Sequence, residues 1–225
     1  MRGLFLSSLF LASGLSNLAT AAPVVPRPAY DPPDNATSET AILSGGCFWG
    51  VQGVYEHVKG VGRAVSGYTG GKASTAHYEA VSTGTTGQAE SVKITFDPRV
   101  ISYGQILQIY FTVVTNPTEL DYQGPDHGTQ YRGEIWAETP TQKEIATRYI
   151  AQLTAAHSFS NPIVTRVDKA MPFYQAETYH QDFMIRHPDN PYIAYNDIPK
   201  VEALRARFPN LYRTKPVTVL KSQTP

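Results

Sequence analysis

With one cysteine, Cys47, in 225 residues, the chain cannot close a disulfide within itself, so cross-linking contributes nothing to its fold. Neither sign of charge is in excess: nineteen Lys and Arg face nineteen Asp and Glu, which leaves no footprint for nucleic acid or an anionic membrane. No segment beyond the leader supplies the roughly 20 apolar residues of a membrane-spanning helix. Internal repeats are lacking too. Glu177 and His180 form one carboxylate–histidine pair with no second pair to complete a metal shell, so no metal is expected. What is present from residue 40 onward, about 185 residues, suffices for one domain with a sizeable core.

Residues 1–21 read as a secretory signal peptide. Arg2 gives a positive start, residues 4–12 an apolar run, and Ala19-Thr20-Ala21 a small-residue cleavage pattern. The expected destination is outside the cell or in the secretory lumen. A transit peptide to an organelle is the competing reading, because the stretch is rich in serine and poor in acids. Residues 22–39 carry five prolines and few apolar side chains, the composition of a disordered linker. Asn35-Ala36-Thr37 within it fits a glycosylation acceptor, usable only in the secretory pathway. Residues 40–212 form the expected domain, and residues 213–225 a polar tail that packs poorly or wraps the surface.

Within the domain, residues 40–44 read as a buried strand. Phe48, Val51, Val54, Tyr55 and Val58 then recur at helical spacing. Cys47 therefore falls at a strand-to-helix turn, where unpaired N–H groups and the helix dipole favour a thiolate. A free cysteine is more often a small buried hydrophobe. The flanking glycines argue for function instead, since they let backbone or substrate approach closely. Further strands are expected over residues 61–68, 91–96, 132–138 and 163–167. Helices are expected after Ser102 and from Thr139-Pro140 to about His157. Strands interleaved with helices point to a sheet covered by helices, α+β or α/β.

Three loops carry chemistry-bearing side chains. Gly84-Thr85-Thr86-Gly87-Gln88-Ala89-Glu90 ends in a carboxylate just before a strand. The stretch from Gly124 to Arg132 is dense in donors and acceptors, and Tyr78, Tyr131, Tyr179, Tyr192 and Tyr195 lie in or beside loops. Singly, each reads as ordinary turn chemistry.

Together with Gly45-Gly46-Cys47-Phe48-Trp49-Gly50 and Ser66-Gly67-Tyr68-Thr69-Gly70-Gly71, the motifs Gly87-Gln88-Ala89-Glu90 and Asp126-His127-Gly128-Thr129-Gln130-Tyr131-Arg132 resemble the A-type peptide methionine sulfoxide reductases, over about residues 41–212. The resemblance implies a ferredoxin-like α+β two-layer sandwich with a loop-rich C-terminal region. It also implies reduction of methionine S-sulfoxide, free or in oxidised proteins, without a cofactor. Carried over residue by residue, Cys47 is the nucleophile that becomes a sulfenic acid, and Glu90 the acid kept protonated by burial. Tyr78 and Tyr131 are the hydroxyls that bond the sulfoxide oxygen, while Asp126 orders the loop and nearby water. Phe48 and Trp49 wall the site for the S-methyl group, and Tyr195 is a C-terminal aromatic beside it.

Two positions depart from the pattern. Gln88 stands where many relatives have histidine, and Asn196 where relatives with a recycling cysteine place it. An outside thiol must then restore Cys47, whether thioredoxin, glutaredoxin or glutathione, a requirement that sits awkwardly with an oxidising compartment. A monomer is expected. The alternatives are a cysteine hydrolase or acyltransferase, which needs His127 or His180 beside the thiol, and an inactive module that binds oxidised methionine.

Overall fold

The computed structural model describes residues 24–220, so the expected leader and the last five residues lie outside it. Strand β1 (Glu39–Ser44) leads into helix α1 (Phe48–Glu56), followed by β2 (Val61–Thr69), the single turn α2 (Tyr78–Val81), β3 (Ala89–Phe96) and α3 (Tyr103–Ile109). Helix α3 widens into a π turn over Tyr110–Val114. A short ribbon of β4 (Tyr122–Gln123) and β5 (Asp126–His127) precedes β6 (Glu134–Ala137), the long helix α4 (Pro140–Ala155), β7 (Arg166–Lys169) and β8 (Tyr174–Gln175). Helix α5 (Phe183–Arg186), a second π turn over Ile193–Asp197 and α6 (Ile198–Arg207) complete the described chain.

The fold is a mixed α+β one. Six strands lie in the order β7-β6-β1-β3-β2-β8, antiparallel at every pairing but β6 with β7. Alternation along the strands decides which face is covered. Ala41, Leu43, Val92, Ile94 and Phe96 join the main core with Val51, Val54 and Tyr55 of α1, Ile106 and Leu107 of α3, and Ile145 and Tyr149 of α4. Each fully buried Val, Leu, Ile or Phe among them contributes about 1.5–3 kcal/mol. Ile42, Ala89 and Trp136 make a smaller cluster, backed by Ala170 and Phe173. The helix starts follow local chemistry: Ser102 and Gln105 form a reciprocal capping box on α3, and Thr139 caps α4 ahead of Pro140.

Two expectations need correction. The strand expected over residues 163–167 forms later, as β7, where residues 166–169 find β6 as a partner. The segment expected to be a disordered linker is a strap over residues 24–38. Val25 is buried; the carbonyls of Val25 and Pro26 accept hydrogen bonds from Gln108 Nε2 (2.8 Å) and Tyr149 Oη (2.7 Å). The Asp31 carboxylate takes the Gly104 N–H (3.0 Å) and the Ser102 hydroxyl (2.5 Å) at the start of α3. These contacts have less chain entropy to overcome because prolines restrict the strap before it docks.

The C-terminal segment wraps the domain. Arg213 and Val217 N–H groups donate to the His57 and Glu56 carbonyls, and Val219 and Leu220 N–H groups to the Asp182 carboxylate (2.8 and 2.7 Å). Beneath this wrap the Glu56 side chain is fully buried, and its carboxyl oxygens have no hydrogen-bond partner among the described residues. Burial, then neighbouring Asp182, pushes it up to about 10, so it stays protonated at neutral pH. The unfolded chain releases that proton near 4.5 and the folded chain does not. Glu56 therefore costs no stability below pH 4.5, and the fold loses stability as pH rises from there toward 10. Glu56→Gln keeps the shape and removes the ionisable group. It should raise the melting temperature at pH 8 by about 3 °C or more and flatten the decline between pH 6 and 9. A lower melting temperature at pH 8 contradicts this assignment.

Candidate active site

Cys47 is the N-cap residue of α1, at the turn that leaves β1. Gly46 holds φ +94, and a Cβ there would meet Gln123 Cβ at 2.7 Å, so only glycine lets the turn form against the 116–124 loop. One turn into α1, the place of a Cβ on Gly50 is filled by the Asp197 carboxylate, at 2.1 Å.

A carboxyl meets the helix start. Glu90, on β3 and 3% exposed, accepts the Phe48 N–H at Oε2 (2.9 Å), which satisfies one of the free donors of α1. Burial pushes this carboxyl up to about 8, the Phe48 bond opposing, so it carries a proton at neutral pH. Cys47 is 8% exposed. Burial first, then the charges of Glu90 and Asp197, push the thiol well above its usual range, and the Trp49 amide works the other way. The expectation of a thiolate is corrected: in the free site desolvation outweighs the helix dipole.

The tyrosines come from separate loops. Tyr131 ends a 3₁₀ turn (Thr129–Tyr131), and its neighbour Arg132 fixes that turn to the approach of β3 through Thr129 O (2.9 Å) and Gly87 O (3.1 Å). Burial, then Glu90, Cys47 and Asp126, raise the Tyr131 hydroxyl far above its ordinary value, which leaves it a proton donor. Tyr78, half-buried, is anchored by its N–H to Glu177 Oε1 (2.9 Å); Glu177 Oε2 accepts from Tyr68 Oη (2.9 Å). The half-buried Asp126 accepts from the Tyr192 hydroxyl.

Trp49 stacks on Phe183 (centroids 3.9 Å, 13°) and stays partly open, whereas Phe48 is 1% exposed and packs on Tyr68 and His180. Trp49 Nε1 donates to His180 Nδ1 (3.0 Å), so His180 is neutral with its proton on Nε2. Burial lowers its pKa, consistent with that tautomer. His180 is thus a fixed element of the aromatic wall. The exposed His127 stacks on Tyr122, and no histidine hydrogen-bonds Cys47 among the described residues, which removes the basis for a hydrolase.

Tyr195 is corrected as well. It is 83% exposed, and Tyr192 is the C-terminal tyrosine turned toward Asp126 and Cys47. The cause is the π turn Ile193–Asp197, whose i→i+5 winding rotates Tyr195 off the face that Tyr192 occupies. Gln88, buried, cross-links a turn instead of touching Glu90: Oε1 accepts the Gly71 N–H (3.2 Å), and Nε2 donates to Lys72 O (3.0 Å). Sequence reasoning also passed over Asp197, whose buried carboxyl is pushed up to about 6 with Lys200 opposing. A proline-containing helix start, Asp197-Ile198-Pro199, was the available signal.

A cavity of about 510 Å³ opens onto Cys47, with Gln123, Asp126, Tyr192, Asn196 and Lys200 among its walls.

The sequence pattern of the family described as peptide methionine sulfoxide reductase matches residues 39–211. The chain is similar to peptide methionine sulfoxide reductase MsrA 2 of Mesorhizobium japonicum, at 60% identity over 82% of this chain and 95% of that protein. It is similar to the MsrA 2 of Synechocystis at 42% identity, over 89% and 95% of the two chains. Among solved structures, reduced Mxr1 of Saccharomyces cerevisiae superposes with TM-score 0.61 at 28% identity, covering 72% of this chain and 92% of that one. Methionine sulfoxide reductase A of Corynebacterium diphtheriae gives 0.57 at 28% identity, over 68% and 77%.

Proposed function

The chain belongs to the peptide methionine sulfoxide reductase family and reduces methionine sulfoxide at the expense of a thiol, and we propose that Cys47 and Glu90 carry the oxygen transfer between them. The observation behind this reading is one contact: Glu90 reaches the first turn of the helix that Cys47 caps. Both groups are neutral in the free site, and an isolated buried ion is expensive.

In this reading Glu90 gives its proton to the sulfoxide oxygen and the thiol proton replaces it, so the site stays neutral while sulfur attacks sulfur. Cys47–SH and sulfoxide become Cys47–SOH and thioether. Tyr131 and Tyr78 donate to the oxygen as charge builds on it. Asp126, bonded to Tyr192, holds the 124–132 loop. Trp49 supplies the open aromatic wall for the methyl group, with Phe48 packed behind it as support. The sulfenic acid then awaits an external thiol, because the chain has no second cysteine.

The four strands β6-β1-β3-β2, with α1 and α3 as crossovers, support a ferredoxin-like reading of the core. We assign residues 1–21 to export and the protein to monomeric repair of oxidised proteins or free methionine sulfoxide, on the sequence pattern alone. The activity is tested by offering separated S and R sulfoxides of a blocked methionine with dithiothreitol. The S epimer should be consumed faster by about two orders of magnitude or more. Equal turnover of both epimers contradicts the proposed site.

A further inference from the structure

The mechanism leaves unused the cavity of about 510 Å³ that reaches Cys47. Its walls include Cys47, Gln123, Asp126, Tyr192, Asn196 and Lys200, but none of Glu90, Tyr78, Tyr131 or Trp49. The sulfur can therefore be approached from a side that lacks the oxygen-binding groups. Phe111, Val113, Val114 and Phe159, with Val25 of the strap, add apolar side chains to its lining.

We propose that this cavity binds the reductant, and that it takes a low-molecular-weight thiol carrying a carboxylate, with Lys200 as the counter-charge. The proposal rests on the sulfenic acid reading of Cys47. Displacement at sulfur runs in line with the departing oxygen. With that oxygen on the Glu90 and Tyr131 side, the entering thiol has to come from the opposite side. Among the walls there is Asn196, whose amide donates to the Tyr192 carbonyl (3.0 Å) and cannot reduce anything.

Lys200 is the cation among these walls, set against the carboxylates of Glu119 and Asp126 on the facing loop. Its ammonium lies 3.1 Å from where a Cβ on Gly50 would sit, in the first turn of α1, and it spends one donor on Asp197 (3.4 Å). Lysine has three donors, so others remain for a ligand carboxylate. The size is that of a small-molecule site. With Cys47 only 8% exposed, a slim molecule reaches the sulfur more readily than a thiol held on the face of a folded domain.

The chemistry balances with two thiols. In the first step Cys47–SOH and R–SH give Cys47–S–S–R and water: the S–O bond breaks, an S–S bond forms, and the thiol proton leaves with the hydroxyl. A second R–SH attacks its twin's sulfur, which releases R–S–S–R and returns Cys47–SH. The sulfenic sulfur is reduced and the two thiol sulfurs are oxidised.

The test uses the full chain, S-sulfoxide in excess and glutathione as the probe thiol. S-Methylglutathione, which cannot react, should inhibit turnover competitively with glutathione and leave untouched the methionine released in a single turnover without thiol. Lys200→Gln and Asn196→Trp should each raise the glutathione KM about tenfold more than they affect turnover with uncharged mercaptoethanol. Competition of S-methylglutathione with the sulfoxide overturns the proposal. So does an unchanged glutathione KM in both folded variants, or turnover with a protein dithiol but none with millimolar glutathione. Failure of the single-turnover methionine release in the native chain contradicts the sulfenic acid reading instead, and the two failures are distinct.

Discussion

Cys47→Ser should abolish sulfoxide reduction, a loss of about 10⁴-fold or more, while the protein melts within about 2 °C of the native chain. The size of the loss follows from the product the nucleophile must become. A thiol accepts the substrate oxygen as a sulfenic acid; a hydroxyl would have to accept it as a peroxide, with no comparable driving force. Stability should survive because position 47 is a helix N-cap, where serine is among the best residues. Loss of activity together with unfolding would leave the fold as the cause, so activity and melting are to be measured on the same preparation. Appreciable turnover in the folded variant contradicts the nucleophile assignment.

Glu90→Gln should slow the first step by about 10²–10⁴-fold. The amide oxygen can still accept the Phe48 N–H, so the geometry at the start of α1 persists while the transferable proton is gone. The pH profile separates this from a packing effect. Glu90 is raised to about 8, and the proposed role requires the protonated form. Single-turnover rates in the native chain should be flat below that value and fall about tenfold per pH unit well above it. The glutamine variant should lose that alkaline limb. A near-native rate, or an unchanged limb in the variant, removes Glu90 as the acid.

The sequence made the centre of the site legible because its signals are local. Glycines around Cys47, a short strand before it and helical periodicity after it fix the turn where the sulfur sits. The capped starts of α3 and α4 were legible for the same reason. Strand β7 was displaced because its limits are set by pairing to β6, a partner distant in sequence. The strap over residues 24–38 reads as linker by composition; it is ordered by contacts with α3 and α4 far along the chain. Tyr192 and Tyr195 are indistinguishable as residues in a loop, and only the π turn decides which one faces Asp126. The neutral state of Cys47 depends on burial contributed by several elements at once, which no motif reports. The family motif itself carried the assignment of Glu90, Tyr78, Tyr131 and Asp126 to one place.

The central claim, that Cys47 takes the oxygen, is tested most directly by one turnover without any thiol. Native chain mixed with excess S-sulfoxide should release one methionine per molecule and then stop, and dimedone followed by peptide mass analysis should place a single adduct on Cys47. Continued methionine release without a thiol, or a stoichiometric burst with Cys47 unmodified, would contradict it.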